Sequence, residues 1–499
     1  MNIKSLAINK SNTHQALWIA LGGLSSFALS ILSAAILSRY FDKSEYGTYR
    51  QILYVYTTLL VVFTAGLPRV YAYYLPRYTL AQGKDIIWNV TKVLLLAGLL
   101  FSIFLYIFSG LIGEALGNPE LSKGLKCFSP VPLLLLPTLG LEGILSTYKK
   151  AVYIAAYNFI TRLLSLLCIV SPVLLFSGNY LYAIFGWIVA SVLTLVIAYF
   201  FKGIPFKGIE SEKSGLGIKE ILTYSIPLSI ASIAGIAIKA ADQFYISRYF
   251  GSEIFAEFAN GFIELPFAIM ITSAVATVVM PVFSKMIHEK SDLNMISSLW
   301  YSSLQKSAVL IYPLVVFFIV FANKVMVLLY SSKYEASSVF FIISMTSSFF
   351  NVIVFAPLLF ALGETKFYAR LHIGIALSAW ILGYFVVVLF NSPIAVAIFS
   401  TLQSIMVVIV SLVFTSRRIG IKFLTLFPIS KLLKIGLHSF LSVVIVYVIL
   451  DSLFEALNSI MYISIALILY LLVLFLLSPI FRIDYLSIIK PIFYSALKS

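Results

Sequence analysis

"SRYFDKSEYGTY", residues 38–49, closes one apolar run, and "SRYFGSEIFAEF", residues 247–258, closes another. Ser-Arg-Tyr-Phe recurs unchanged at an offset of 209 residues (247 against 38). With no gap, Tyr46 then aligns with Phe255, Gly47 with Ala256 and Tyr49 with Phe258. A segment written twice at a long offset is the mark of a duplicated folding unit. What kind of unit it is depends on the apolar runs that the two copies terminate.

The chain has 499 residues, 61% of them hydrophobic and 11% charged. A water-soluble domain has no interior for that much apolar surface, so the natural solvent is lipid. Hydropathy marks about fourteen apolar segments, from 16–38 to 457–478, with 220–247 as the seventh, 254–283 as the eighth and 336–362 as the tenth. Backbone amides inside hydrocarbon must be satisfied within their own segment, and no alternating strand pattern is present. The expected fold is therefore an all-α polytopic membrane protein of about 14 transmembrane helices.

The formal net charge is +15. In a soluble protein that would suggest nucleic acid. Here the charge sits in short connectors, so membrane topology explains it and no nucleic-acid partner is expected. With a cytoplasmic N-terminus and strict alternation, lysines and arginines on the cytoplasmic side outnumber those outside by roughly three to one. Both termini are thus expected in the cytoplasm. The opening "MNIKSLAINKSNTHQ" is polar, and the apolar run after it is as long as a full span, so a cleaved signal peptide is not expected.

The longest connector, 202–219 ("KGIPFKGIESEKSGLGIK"), is basic, glycine-rich and cytoplasmic on this topology. Shifting the sequence by 209 lays the first span on the seventh. Six spans separate the copies, so both run the same way, as in a parallel repeat about an axis along the membrane normal. The expected organisation is an N-terminal six-helix lobe (1–201), a linker (202–219), a C-terminal six-helix lobe (220–415), and two additional helices with a tail (416–499).

Enzyme signatures are missing: no Gly-rich dinucleotide turn, phosphate-binding loop or HExxH helix is present. His14, His288, His372 and His438 are scattered, and Cys127 and Cys168 sit in apolar surroundings outside any metal-type spacing. No catalytic residue, metal site or cofactor is expected. The informative residues are charges within spans, where an ionised group costs at least about 2.5–3.5 kcal/mol and faces protein or a wet cavity. In "AIKAADQFYISRYF", Lys239, Asp242 and Gln243 share one helical face. The matching positions of the first helix hold Ser30, Ser33 and Ala34, so one copy alone carries the charge. Lys239 is either a cavity cation or half of a structural ion pair with Asp242. Glu142 and Glu264 are candidate cavity acids or coupling carboxylates, and structural pairing is open for both. Arg39, Arg50 and Arg248 stand at outer helix ends, where they are either cavity cations or snorkelling side chains. Pro68, Pro130, Pro132, Pro137, Pro172, Pro227, Pro266, Pro281, Pro313 and Pro357 fall within spans and are expected to kink their helices.

"ILSRYFDKSEYGTYRQI", "YSIPLSIASIAGIAIKAADQFYISRYFG" and "VVMPVFSKM" resemble the first loop, the seventh helix and the eighth-helix end of the oligosaccharide flippases. These are the Wzx type of the multidrug/oligosaccharidyl-lipid/polysaccharide exporter superfamily. The resemblance implies two six-helix bundles in a V around a central cavity, plus two C-terminal helices. It implies a bacterial inner-membrane protein that moves undecaprenyl-diphosphate-linked oligosaccharide units to the periplasmic leaflet for O-antigen or exopolysaccharide biosynthesis, by alternating access. Lys239, Arg39, Arg50 and Arg248 would then meet the diphosphate, with Asp242, Glu264 and Glu142 as acidic or coupling groups. Coupling to H+, to Na+ or to the membrane potential is left open. Partners would be the lipid-linked substrate, membrane lipids and other polysaccharide-assembly membrane proteins.

Two rivals stand beside this. One is a cation-coupled drug or small-metabolite exporter of the same fold. The other is a polytopic polysaccharide polymerase or ligase, which the short, His-free outer connectors disfavour.

Overall fold

The computed structural model describes residues 10–453 and 458–485. The expected cytoplasmic termini, 1–9 and 486–499, lie outside the described residues. Every regular element among the described residues is helical. Among the described residues, twelve helices are long and apolar enough to cross a membrane, or thirteen if a bent pair counts as one span. Their outward side chains agree with lipid as solvent: Leu175 is 76% exposed, Phe200 71% and Leu389 74%. Such surfaces in water would be large unpartnered apolar patches.

Two of the expected spans are built differently. The tenth, 336–362, is split into Ser337–Asn351 and Ala356–Ala361. Pro357, at the start of the second piece, lacks the amide that would join it to the turn before. The eighth, 254–283, is also divided. Its first residues continue the preceding helix to Gly261, and a new helix starts at Pro266 and runs to His288. The residue before a proline is pushed to extended backbone, and Leu265 is extended (φ −76°, ψ 125°).

The chain packs as two compact units, residues 1–256 and 257–498. The first contains α1 (Lys10–Tyr40), α2 (Lys43–Thr64), α3 (Pro68–Tyr74), α4 (Leu80–Ala115), α5 (Glu120–Phe128), α6 (Pro130–Leu135), α7 (Leu141–Thr147), α8 (Ala151–Leu175) and α9 (Tyr180–Gly203). It also holds most of α10 (Ile218–Gly261). α8 lies between α1 and α9, and α4 packs on α5 and α6. Glycine makes these approaches close. A Cβ added at Gly186 would sit 2.1 Å from the Cys168 carbonyl oxygen, and one at Gly98 2.8 Å from that of Pro132. Without a hydrophobic drive between helices in lipid, such backbone-to-backbone packing is a main source of cohesion. Tyr71, Val70, Ile86, Val90 and Leu94 form a buried cluster with Phe206, Leu216 and Ile221. The cluster ties the linker and the start of α10 to the first unit.

Both copies of the repeated tetrapeptide end a helical run. α1 stops at Tyr40, and Asp42 caps α2 by accepting from the Glu45 amide at 2.7 Å. α10 is interrupted at Gly251, whose φ of 82° favours glycine. The second copy is clamped to the helix after the first. The Gln51 side-chain amide donates to Ser247 Oγ at 2.8 Å, and Ser247 Oγ donates to the Leu116 carbonyl at 3.0 Å. Asn118 donates to both Gln51 Oε1 (2.6 Å) and Thr48 Oγ1 (2.8 Å). Gly47 lets the backbones meet, because an added Cβ there would lie 1.9 Å from the Ser252 carbonyl oxygen.

In the second unit, α11 (Pro266–His288) packs on α12 (Leu293–Val320), which also meets the last two helices, Ile429–Leu453 and Ser459–Leu477, directly or through side chains. Tyr470 donates to the Pro313 carbonyl at 2.9 Å, and Trp300 to that of Leu426 at 2.8 Å. The added C-terminal pair is thereby seated against α12.

Candidate functional site

The first unit holds an open cavity of about 630 Å³ walled by α2, α3, α7, α8 and α9 together with the segment 135–140. Its position follows from two helix breaks. α2 ends in a left-handed Ala65 (φ 46°) and Gly66 (φ 70°), and Pro68 restarts the chain as α3. The segment 136–140 breaks before α7 at Gly140 (φ 81°), where a Cβ would strike the Tyr71 ring at 2.4 Å. Arg69 and Glu142 stand just past these two breaks and both line the cavity.

α8 supplies the opposite wall. Asn158, Thr161, Arg162 and Ser165 recur at helical spacing and all line the cavity. Arg162 lies near the midpoint of this 25-residue apolar helix. A mid-span arginine is costly unless it meets a wet or charged space. On α9, Trp187, Ser191 and Thr194 continue the polar lining.

The electrostatics are unbalanced. Two guanidinium groups and one carboxylate face the space. Glu142 Oε1 is engaged by the Asn158 amide at 2.7 Å. Among the described residues, neither Arg69 nor Arg162 has a side-chain hydrogen bond or an ion pair. The hydroxyls are turned the other way. Thr57, Thr138, Thr161, Ser165 and Ser191 each donate to a backbone carbonyl at 2.7–2.8 Å. Their oxygens therefore remain as acceptors. Trp187 donates its indole N–H to Tyr49 at 3.0 Å and presents its ring to the cavity beside Tyr56 and Tyr157. The arrangement offers fixed positive charge, acceptor oxygens and aromatic faces, which suits an anionic group attached to something rich in hydroxyls.

Of the residues singled out in the sequence, Glu142 lines this cavity. Lys239 is exposed on α10, and Asp242, one turn on, is 7% exposed, with Oδ1 accepting from the Gln243 amide at 2.6 Å. Arg39 is exposed at the end of α1. Arg50 is half-buried, donates to the Tyr46 hydroxyl at 3.4 Å and stands 5.9 Å from that ring. Arg248 is exposed and donates to the Glu114 carbonyl. Glu264 belongs to the second unit, exposed in the break before Pro266. Arg69 and Arg162 are not among the residues that the sequence marks as candidates. The signal for Arg162 was present in the Asn158–Ser165 stripe of an otherwise apolar helix.

A family described as "Polysaccharide biosynthesis protein" matches residues 13–287. No curated protein matches the sequence significantly. Among solved structures, the lipid II flippase MurJ in an inward closed conformation is similar over 93% of this chain and 98% of its own, with 17% identity and a TM-score of 0.71. An inward-facing multidrug resistance MATE transporter of the MOP superfamily is similar over 79% of this chain and 94% of its own (13% identity, TM-score 0.60). A MOP superfamily transporter from Pyrococcus furiosus, described by a reversed polarity of its binding pocket, is similar over 82% and 95% (15% identity, TM-score 0.58). At these identities the likeness is one of fold, the all-α MOP transporter architecture.

Proposed function

From the premise that this chain belongs to the polysaccharide biosynthesis protein family, we propose that it is a flippase for undecaprenyl-diphosphate-linked oligosaccharide units. It would carry them from the cytoplasmic to the outer leaflet of a bacterial inner membrane by alternating access. A diphosphate and several sugars cannot cross about 30 Å of hydrocarbon unaided. The similar fold of a lipid II flippase supports the reading.

The observation that carries it is a pair of arginines in the first-unit cavity, Arg69 and Arg162, that make no ion pair among the described residues and face the single carboxylate of Glu142. Guanidinium groups bind phosphate oxygens in a fixed fork, and acceptor oxygens with aromatic faces suit the sugar hydroxyls and rings. Lys239, Arg39, Arg50 and Arg248 are proposed as further cations along the substrate's route. Asp242, Glu264 and Glu142 are proposed as the acidic or coupling groups, for H+ or Na+. The two six-helix lobes joined by 202–219 belong to the same proposal.

The test is complementation of a flippase-null strain, scored by surface polysaccharide, with membrane abundance measured in parallel. A charged hydrogen bond of about 1.5–3 kcal/mol corresponds to roughly 10–100-fold. Arg162→Ala and Arg69→Ala should each lower transport by that order at normal abundance, with Arg162→Lys retaining part. Full activity of the double alanine variant would remove this cavity from the substrate's path. A drug exporter would instead transport organic cations, and more of them once Arg162 is neutralised.

A further inference from the structure

A second basic site, sharing no lining residue with that cavity, lies where the end of α9 meets the start of α4. Lys202, in the last turn of α9, is 6% exposed. Its ammonium donates to Thr91 Oγ1 at 3.0 Å and to the Pro137 carbonyl at 2.5 Å, and lies 5.6 Å from the Tyr71 ring centroid. Among the described residues no carboxylate pairs with it. Protein thus supplies two neutral acceptors for three N–H donors and no counter-charge. Burying an ion this way costs several kcal/mol unless an anion offsets it or the amine gives up its proton.

Lys202 borders a pocket of about 150 Å³, whose other walls include Lys84, Trp88, Thr91, Tyr199 and Phe206. Lys84 brings a second ammonium and also donates to the Ile209 carbonyl at 2.8 Å. Trp88 and Tyr199, with ring centroids 5.7 Å apart, stand at the pocket's exposed edge, 45% and 38% exposed. Val196 and Phe200 next to them on α9 are 64% and 71% exposed, the surface expected of a helix that faces acyl chains. Amphipathic aromatics and lysines at helix ends mark headgroup depth. Several waters' worth of space holds a phosphodiester but not an oligosaccharide.

We propose that Lys202 and Lys84 form a binding site for the phosphodiester of an anionic glycerophospholipid, entered from the lipid between Trp88 and Tyr199. Basic pockets between membrane helices take such headgroups. The occupant is a resident lipid, distinct from the transported substrate, and it anchors the linker-proximal ends of α4 and α9.

The full chain purified in a neutral detergent tests this with no transport substrate present, so the result stands apart from the flippase reading. Phosphatidylglycerol, phosphatidylcholine and inorganic phosphate are added separately, and lipid adducts and thermal midpoints are measured. Phosphatidylglycerol should bind and raise the midpoint, while the other two should not. Lys84→Gln and Lys202→Met should each weaken its binding by about tenfold, the loss of one charge-assisted contact. Should Lys202→Met fail to fold, Lys84→Gln and Trp88→Ala decide the matter. Equal stabilisation by phosphatidylcholine overturns the site. Equal stabilisation by inorganic phosphate overturns its assignment to lipid, and undiminished phosphatidylglycerol binding in Lys84→Gln overturns the role of the lysines.

Discussion

Lys239 and Asp242 are one turn apart on α10, yet the first is exposed and the second buried. An exposed lysine on a membrane helix can serve a ligand, while a buried aspartate serves its surroundings. If Lys239 meets the diphosphate, Lys239→Ala should abolish polysaccharide export at normal abundance and Lys239→Arg should keep part of it. Adding Asp242→Ala should then bring no recovery. Removing one partner of a structural pair leaves a buried charge alone, whereas removing both does not. Recovery in the double variant would therefore make the pair structural. Arg162 teaches a related lesson. Its place halfway along α8 is what sets it in the cavity. Helical periodicity of Asn158, Thr161, Arg162 and Ser165 makes that face legible without coordinates.

Helix against helix, the molecule relies on small residues and a few buried polar clamps. Gly186 lies so close to the Cys168 carbonyl that Gly186→Val overfills the α8–α9 seam. Overpacking of this kind costs about 1–3 kcal/mol. The Gln51 clamp is a separate case. Gln51→Leu should take one of two acceptors from the partly buried Asn118 and the donor from the buried Ser247, at about 1–3 kcal/mol for each group left unsatisfied. Both variants should melt below wild type in detergent, and an unchanged midpoint for Gln51→Leu would mean that the clamp adds nothing to stability. The clamp also gives the repeated tetrapeptide a local role. Ser247, from the second copy, is held by the helix that follows the first.

For the chain as a whole, the excess of lysine and arginine leads us to expect the 202–219 connector in the cytoplasm. Gly208 is exposed there, with φ 76° and open space around it. A reporter active only in the cytoplasm, inserted after Gly208, should be active with export retained. An inactive reporter in a well-inserted protein would invert the topology and with it the proposed direction of transport. The two compact units divide the chain at 256/257, inside α10, whereas the proposed lobes divide at the linker. Packing need not follow the limits of a repeat, and α10 is bound to the first unit at its start through Ile221 and again further along through Ser247 and Ser252.

Residues close in the chain were enough to establish the membrane class, the helical content, most span limits and the repeated tetrapeptide. Hydropathy, charge alternation and local motifs act over one helix or one connector, and the backbone in lipid has no alternative to helix. The split of 336–362 lay beyond that reach, because a proline weakens a helix without saying whether packing will hold it straight. The cavity lay further still. Arg69, Glu142, Arg162 and Trp187 come from four helices separated by long stretches of sequence. Their convergence depends on where α2 and the 136–140 segment break and on how closely glycine lets α8 meet α9. The buried ammonium of Lys202 is of the same kind. In the sequence it is a lysine at a helix end, and folding Thr91, Pro137 and Tyr71 around it is what removes its water without supplying a counter-charge.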